Sequence, residues 1–250
     1  MHVRQTRIAM ACASLCWLLS ACATRVHCDR QAAIAAALAA PDRPAADRER
    51  DTDRHAADLL LFSRVAPAER ALDVGSGGGY FTRLLSSMVG PKGQVAAHDA
   101  PSYVKNVTAQ REALLASRSN IIGMLTPFEG LEGQPGSYDL VTIMLMYHDI
   151  VRLGDRARMN QQILRLLKPG GRVLVVDHAA PVGSGLRDAG TLHRIDPQLV
   201  RSEFEAAGLR FSASSSVLAN PQDDMTRASF DPRFRWRTNQ FALLFTKPVK

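Results

Sequence analysis

Cysteine is scarce and confined to one end. The chain has 250 residues and four cysteines, Cys12, Cys16, Cys22 and Cys28, with none after residue 28. Everything downstream therefore offers no disulfide framework, no thiolate metal site and no cysteine nucleophile. Long apolar runs are lacking too: the stretch 8–19, with Trp17 near its end, falls short of the ~20 residues that a membrane span needs. A large charge of one sign is also missing. The formal charge is +7, Arg4 and Arg7 supply two of it, and acidic residues interleave with the rest. No basic stripe with aromatics argues for nucleic acid as a partner.

What is present begins with an export pattern. Arg4 and Arg7 precede the apolar run, which ends Leu19-Ser20-Ala21-Cys22. That order resembles the bacterial lipobox, so residues 1–22 are expected to be a signal peptide and Cys22 a lipidated anchor to the membrane. Ala23 resembles the residue that sends such proteins to the outer membrane, and the expectation is an exported lipoprotein facing the periplasm. An ordinary cleaved signal, or a misassigned start ahead of a cytoplasmic enzyme, stays open. Residues 23–52 are expected to be a tether: 31–40 is alanine-rich, Pro41 and Pro44 break it, and 43–54 alternates acidic and basic side chains as a solvated linker does. The remaining roughly 200 residues suffice for one domain with its own core, expected over 53–250.

That domain is organised around Ala71-Leu72-Asp73-Val74-Gly75-Ser76-Gly77-Gly78-Gly79. A short apolar run, a glycine turn and then Phe81, Leu84 and Leu85 at helical spacing give strand, turn, helix, the unit that brings backbone against a nucleotide-like ligand. Apolar runs at 94–98, 120–125, 140–146, 172–176, 211–217 and 241–246 predict six further strands. Helices are expected over 53–65, 102–118, 153–167 and 197–207, the last with Asp196 as N-cap. The alternation predicts an α/β fold, a doubly wound, seven-stranded, mostly parallel sheet with helices on both faces.

Four phrases together carry a resemblance: the glycine turn, Asp99, Tyr138-Asp139-Leu140-Val141, and Leu167-Lys168-Pro169-Gly170-Gly171-Arg172-Val173-Leu174-Val175-Val176-Asp177. The chain resembles a class I S-adenosylmethionine-dependent methyltransferase with a Rossmann-like fold over about residues 50–250. Arg50-Asp51-Thr52-Asp53-Arg54, Gly78-Gly79-Tyr80-Phe81-Thr82 and His193-Arg194-Ile195-Asp196-Pro197 resemble a bacterial group of predicted methyltransferases that carry an export signal.

The resemblance implies S-adenosylmethionine as cofactor. Gly75, Ser76, Gly77 and Gly79 would lie along its methionine part, with Asp73 orienting the turn or lying near the cationic cofactor. Asp99 would accept from both ribose hydroxyls, because a carboxylate offers two acceptors and no donor. Tyr147 would face the site after the fourth strand. The family's acidic adenine contact is absent after the third strand, leaving Thr126, backbone or Glu129, and Phe128 is expected in the core. Methyl transfer depends mainly on positioning and needs a base only when the acceptor carries a proton. His148 and His193 are the candidate catalytic residues, each able to be instead a loop histidine with a structural bond. His148, His178 and His193 lack ligand-like local spacing, so no metal is expected.

The leading expectation is a methyltransferase acting on a small-molecule or lipid-like acceptor. An exported location would leave it short of a cytosolic cofactor, which keeps a non-catalytic envelope lipoprotein with a ligand-binding fold as the alternative. A nicotinamide-dependent oxidoreductase is disfavoured because the turn lacks the usual final glycine spacing.

Overall fold

The structure is a computed structural model that describes residues 28–105, 107–234 and 237–249. The expected signal peptide and Cys22 lie outside the described residues. No described helix is long and apolar enough to cross a membrane.

Seven strands form one sheet: β1 Arg70–Val74, β2 Gln94–Asp99, β3 Ile121–Leu125, β4 Tyr138–Met144, β5 Leu167–His178, β6 Arg210–Ser215 and β7 Gln240–Thr246. Their order is β3-β2-β1-β4-β5-β7-β6, parallel except that β7 runs antiparallel to both neighbours. The strand order reverses between β1 and β4, so the carboxyl ends of those two strands open the crevice where such sheets take ligands. The expected doubly wound fold is what forms.

Period-two burial explains how the sheet holds helices on both faces. Leu72, Val74, Val141, Ile143, Val173 and Val175 point into one core. Helix α8 (Arg156–Leu166) and helix α9 (Pro197–Ala206) cover it through Met159, Ile163, Leu166, Val200 and Phe204. Ala71, Leu140, Leu174 and Val176 point the other way, beneath α3 (Ala56–Ser63) and α4 (Tyr80–Val89). Asp196 caps α9 as expected, accepting from the Gln198 amide at 2.8 Å.

Three expectations change. The helix predicted over 102–118 is two, α5 (Pro101–Val104) and α6 (Thr108–Ser117). A further short helix, α7 (Tyr147–Leu153), follows β4 directly. The expected tether is not free over its described part. Residues 28–38 are helical (α1) and α2 spans Ala45–Arg48, and Ile34 and Ala37 join the core under α3 and α4. Several of the charges of 43–54 are paired within the protein, while Arg48, Glu49 and Asp53 stay exposed. The wholly buried Arg43 donates to both Asp51 oxygens at 2.8 and 2.6 Å, and the Tyr80 hydroxyl donates to Asp51 at 2.8 Å. Asp42 receives a two-pronged contact from Arg118 at 2.6 and 2.8 Å, and Asp47 meets Arg83 at 3.3 Å. This arm lies against the helix that opens at the glycine turn.

Candidate functional site

The turn after β1 is strapped to the neighbouring strand. Gly75 and Ser76 both donate backbone N–H to the His98 carbonyl, at 2.9 and 2.8 Å. Gly75 adopts φ 72°, and a side chain there would approach Met146 to 2.5 Å. Gly79 has φ 80°, and its missing side chain leaves the space that Leu114 fills. These two glycines are required by backbone hand and by packing within the protein; Gly77, at φ 54°, has the Tyr103 hydroxyl 3.4 Å from an added Cβ, an ordinary contact, so backbone hand is what calls for glycine there.

Asp99 ends β2 as expected, but both of its oxygens hold the turn. Oδ1 accepts from the Gly77 amide at 2.9 Å, and Oδ2 accepts from the Ser76 hydroxyl at 2.8 Å and Arg111 at 3.2 Å. Burial raises its pKa from the ordinary carboxylate value, while the Gly77, Ser76 and Arg111 contacts oppose that rise. Asp99 thus fixes the cradle from behind: it is fully buried with both oxygens engaged within the protein, which is not the free pair of acceptors expected for a ribose. Asp73 lies one layer below, accepting from Thr82 at 2.6 Å and Thr142 at 2.7 Å. Full burial pushes it up to about 6, only partly offset by those two hydroxyls. Its role is to join β1, β4 and α4 beneath the turn.

Above the turn lies a cleft of about 600 Å³, lined by Gly75–Gly78, Tyr103, Gln110 and Met144–Met146, with Asp47, Arg50 and Arg54 from the arm. Arg50 and Arg54 stand over the Tyr80 ring at 5.1 and 4.6 Å. Burial, then the charge of Arg50, lowers Arg54 to about 10. These arginines were legible only through the phrase Arg50-Asp51-Thr52-Asp53-Arg54, whose charge alternation looked like a solvated linker.

The candidates after β4 separate. Tyr147 does not face the cleft: it is fully buried, donates to Glu203 at 2.7 Å and accepts from Asn160 at 2.7 Å. A seven-residue helix turns its ring inward against Phe204. His148 and His193 do come together, with Nε2 and Nδ1 3.3 Å apart. Asp149 joins them, 3.4 Å from His148 and 3.1 Å from His193. Asp177, at the end of β5, accepts from the His148 amide at 2.8 Å and lies 2.7 Å from its Nδ1.

Burial alone would lower His148, but the charge of Asp177 and the bonds to Asp149 and Asp177 outweigh it and hold the ring up at about 10. Burial lowers His193 and His178, the latter to about 4. His178 Nδ1 is bonded to Thr238 at 2.7 Å. Glu129 meets the Asp155 amide at 3.3 Å, away from the cleft, and Phe128 is core.

The fold is that of S-adenosylmethionine-dependent methyltransferases, with a cleft above its glycine turn. The chain's own features fit that cofactor: backbone of Gly75–Gly78 lines the cleft, and the Thr126 hydroxyl, just past the end of β3, is buried without a hydrogen-bond partner.

Comparison with known proteins agrees. Residues 71–171 match a family described as a methyltransferase domain. The ubiquinone/menaquinone biosynthesis C-methyltransferase UbiE of Pseudomonas savastanoi pv. phaseolicola is 34% identical over 122 residues, 49% of this chain and 46% of that protein. UbiE of Vibrio vulnificus is 28% identical over 166 residues, 65% of this chain and 63% of the relative. The chain thus spans about half to two thirds of the length of these curated relatives. A solved S-adenosylmethionine-dependent methyltransferase from Aquifex aeolicus superposes with a TM-score of 0.56 at 18% identity, over 76% of this chain and 87% of the other. At that identity the likeness speaks for the fold.

Proposed function

We propose that this protein is an S-adenosylmethionine-dependent methyltransferase whose acceptor is a small, lipid-like molecule, with a hydroxylated ring of the quinone type as the favoured class. The observation that carries the reading is the cleft above Gly75–Gly78, closed on one side by the turn, which Asp99 holds from behind, and on the other by the arginines of the arm. Its size suits one cofactor and part of an acceptor. The quinone class comes from the names of the relatives.

When bound, S-adenosylmethionine supplies a methyl group on a positively charged sulfur. The chain's residues position the partners for in-line transfer, which is where most of the rate arises. Backbone at Ser76 and Gly77, held by Asp99, lies along the cofactor. Arg50 and Arg54 provide cationic groups for its carboxylate, and Thr126 a hydroxyl for its adenine. The His148–Asp149–His193 cluster forms the acceptor end, starting two residues after Met146 of the cleft wall. Export as a lipoprotein through Cys22 belongs to the same proposal and rests on the Leu19-Ser20-Ala21-Cys22 order; palmitate labelling that persists in Cys22→Ser would exclude it.

Titration calorimetry of the full chain with S-adenosylhomocysteine tests the cofactor reading. Binding is expected, with Asp99→Ala weakening it at least tenfold. Absence of both heat and thermal shift at millimolar ligand would remove the methyltransferase reading. Labelled cofactor offered with a panel of ring-hydroxylated lipids then identifies the acceptor.

A further inference from the structure

The contacts of the acceptor-end cluster have a second chemical meaning. His148 and Asp149 open α7, while His193 comes from the connection between β5 and α9, so the fold brings together groups distant in sequence. The contacts are 3.3 Å between His148 Nε2 and His193 Nδ1, 3.4 Å from His148 Nε2 to Asp149 Oδ2, and 3.1 Å from His193 Nδ1 to the other Asp149 oxygen, Oδ1. Bonds of about 2.0–2.2 Å from a tetrahedral Zn²⁺ to nitrogen and oxygen place neighbouring donors about 3.3 Å apart. One donor atom from each of the three side chains lies within 4.8 Å of the others, so a small inward closure brings them to one face of such a tetrahedron.

What stands behind them fits as well. Asp177 holds His148 through Nδ1 at 2.7 Å and through the backbone amide at 2.8 Å. A carboxylate on the far nitrogen fixes the tautomer and presents the Nε2 lone pair forward, the usual arrangement behind a metal-bound histidine. Asp177 is fully buried and Asp149 mostly so. Two carboxylates converging on one imidazole suit a divalent cation between them, with Arg152 also touching Asp149 Oδ1 at 3.0 Å. His193 is held at φ 53°, a left-handed conformation that histidine adopts infrequently. His178 stays outside the set, its Nδ1 engaged by Thr238.

We propose that His148, Asp149 and His193 bind a divalent transition metal of the zinc type and that its open coordination position takes an oxygen of the acceptor. The second half rests on the proposed methyltransferase reading; the metal site itself does not. Two histidines and one carboxylate are a ligand set that leaves such a position free. A ring hydroxyl bound there would release its proton to solvent more readily. The ring carbon beside the oxyanion would bond to the methyl carbon as the methyl–sulfur bond breaks, leaving S-adenosylhomocysteine. The hydrogen on that ring carbon would then leave as a proton to restore the ring.

The test uses the full chain, stripped with a chelator and alkylated so that the four cysteines near the N-terminus cannot bind metal. Cobalt(II) is titrated in with visible absorption as the readout, and zinc chloride by calorimetry. The expected result is one equivalent of cobalt with a d–d band that zinc abolishes. His193→Ala and Asp149→Asn should each lose the band, Asp177→Asn should weaken zinc binding about tenfold or more, and His178→Ala should keep one equivalent. Circular dichroism verifies folding, and two ligand variants guard against the failure of either one to fold. No saturable band in the parent protein overturns the site, as does an unchanged affinity in the two ligand variants. Metal binding without S-adenosylhomocysteine binding would keep the site and overturn the cofactor reading alone.

Discussion

Asp73 is the residue at which the glycine turn meets the core, and its environment has a measurable consequence. Buried, with only hydroxyl donors, it titrates at about 6 rather than at 3.8. The folded protein therefore holds this proton more tightly than the unfolded chain does. The stabilisation is complete below pH 3.8 and is lost as pH rises to about 6, amounting to about 3 kcal/mol. Asp73→Asn keeps a partner for each threonine and never ionises. Its melting temperature relative to the parent should rise between pH 4 and pH 7; a constant difference would show that Asp73 ionises freely in the fold. At this scale the turn and Asp99 were legible because glycine hand and a strand-end carboxylate are local signals. Three side-chain arrangements were not. Tyr147 points into the core, both Asp99 oxygens are spent on the turn, and Asp177 stands behind His148. Each depends on a partner at least 22 residues away, such as Glu203, Gly77 and His148 itself.

At the scale of elements, the arm 28–54 differs most from its sequence pattern. Alternating charge predicts a solvated linker when each charge has only water or its neighbour to meet. Here the partners come from elsewhere, Tyr80 and Arg83 on α4 and Arg118 after α6, and periodicity carries no trace of them. The strands were readable for the opposite reason: runs such as Leu140 to Ile143 are buried whatever their neighbours are. Helix α7 escaped because seven residues beginning Tyr147-His148-Asp149 resemble a polar strand end. Asp51→Asn tests how firmly the arm is docked. It removes one acceptor from a buried arginine pair, and leaving Arg43 without its full partner should cost about 3 kcal/mol. Chemical denaturation should show that loss, together with faster proteolysis within 28–54 and weaker S-adenosylhomocysteine binding. A loss below about 0.5 kcal/mol, the size of an exposed pair, would mean that the arm is a linker after all.

At the scale of the whole molecule, the two candidate ends of the site are held by different parts of the chain. The arm closes the cofactor end, while the segment between β6 and β7 closes the acceptor end. That segment is anchored by Arg194, next to His193. The fully buried guanidinium lies 2.8 Å from Asp223 Oδ2 and donates to the carbonyls of Arg227 at 2.7 Å and Ala179 at 3.1 Å. The rest of its sequence phrase is structural: Ile195 pairs with Ala179, and Asp196 caps α9 and accepts from Gly183 at 2.7 Å. Phe230 of the anchored segment sits over the His193 ring, 5.3 Å between centroids. Arg194→Met should therefore act twice. Leaving Asp223 as a buried, unpaired carboxylate should cost about 3–5 kcal/mol, and adding Asp223→Leu should recover a large part of it, because a buried pair exchanged for apolar groups is often near neutral. The acceptor end should not recover in parallel. With the ion pair gone from both sides, the carbonyls of Ala179 and Arg227 lose their common donor, so Phe230 is no longer held over His193. Denaturation midpoints measure the first effect, and hydrogen exchange over 223–234 measures the second. Restored stability with exchange still raised is the expected result; recovery of both together would show that packing, rather than the guanidinium, positions the segment over the cluster.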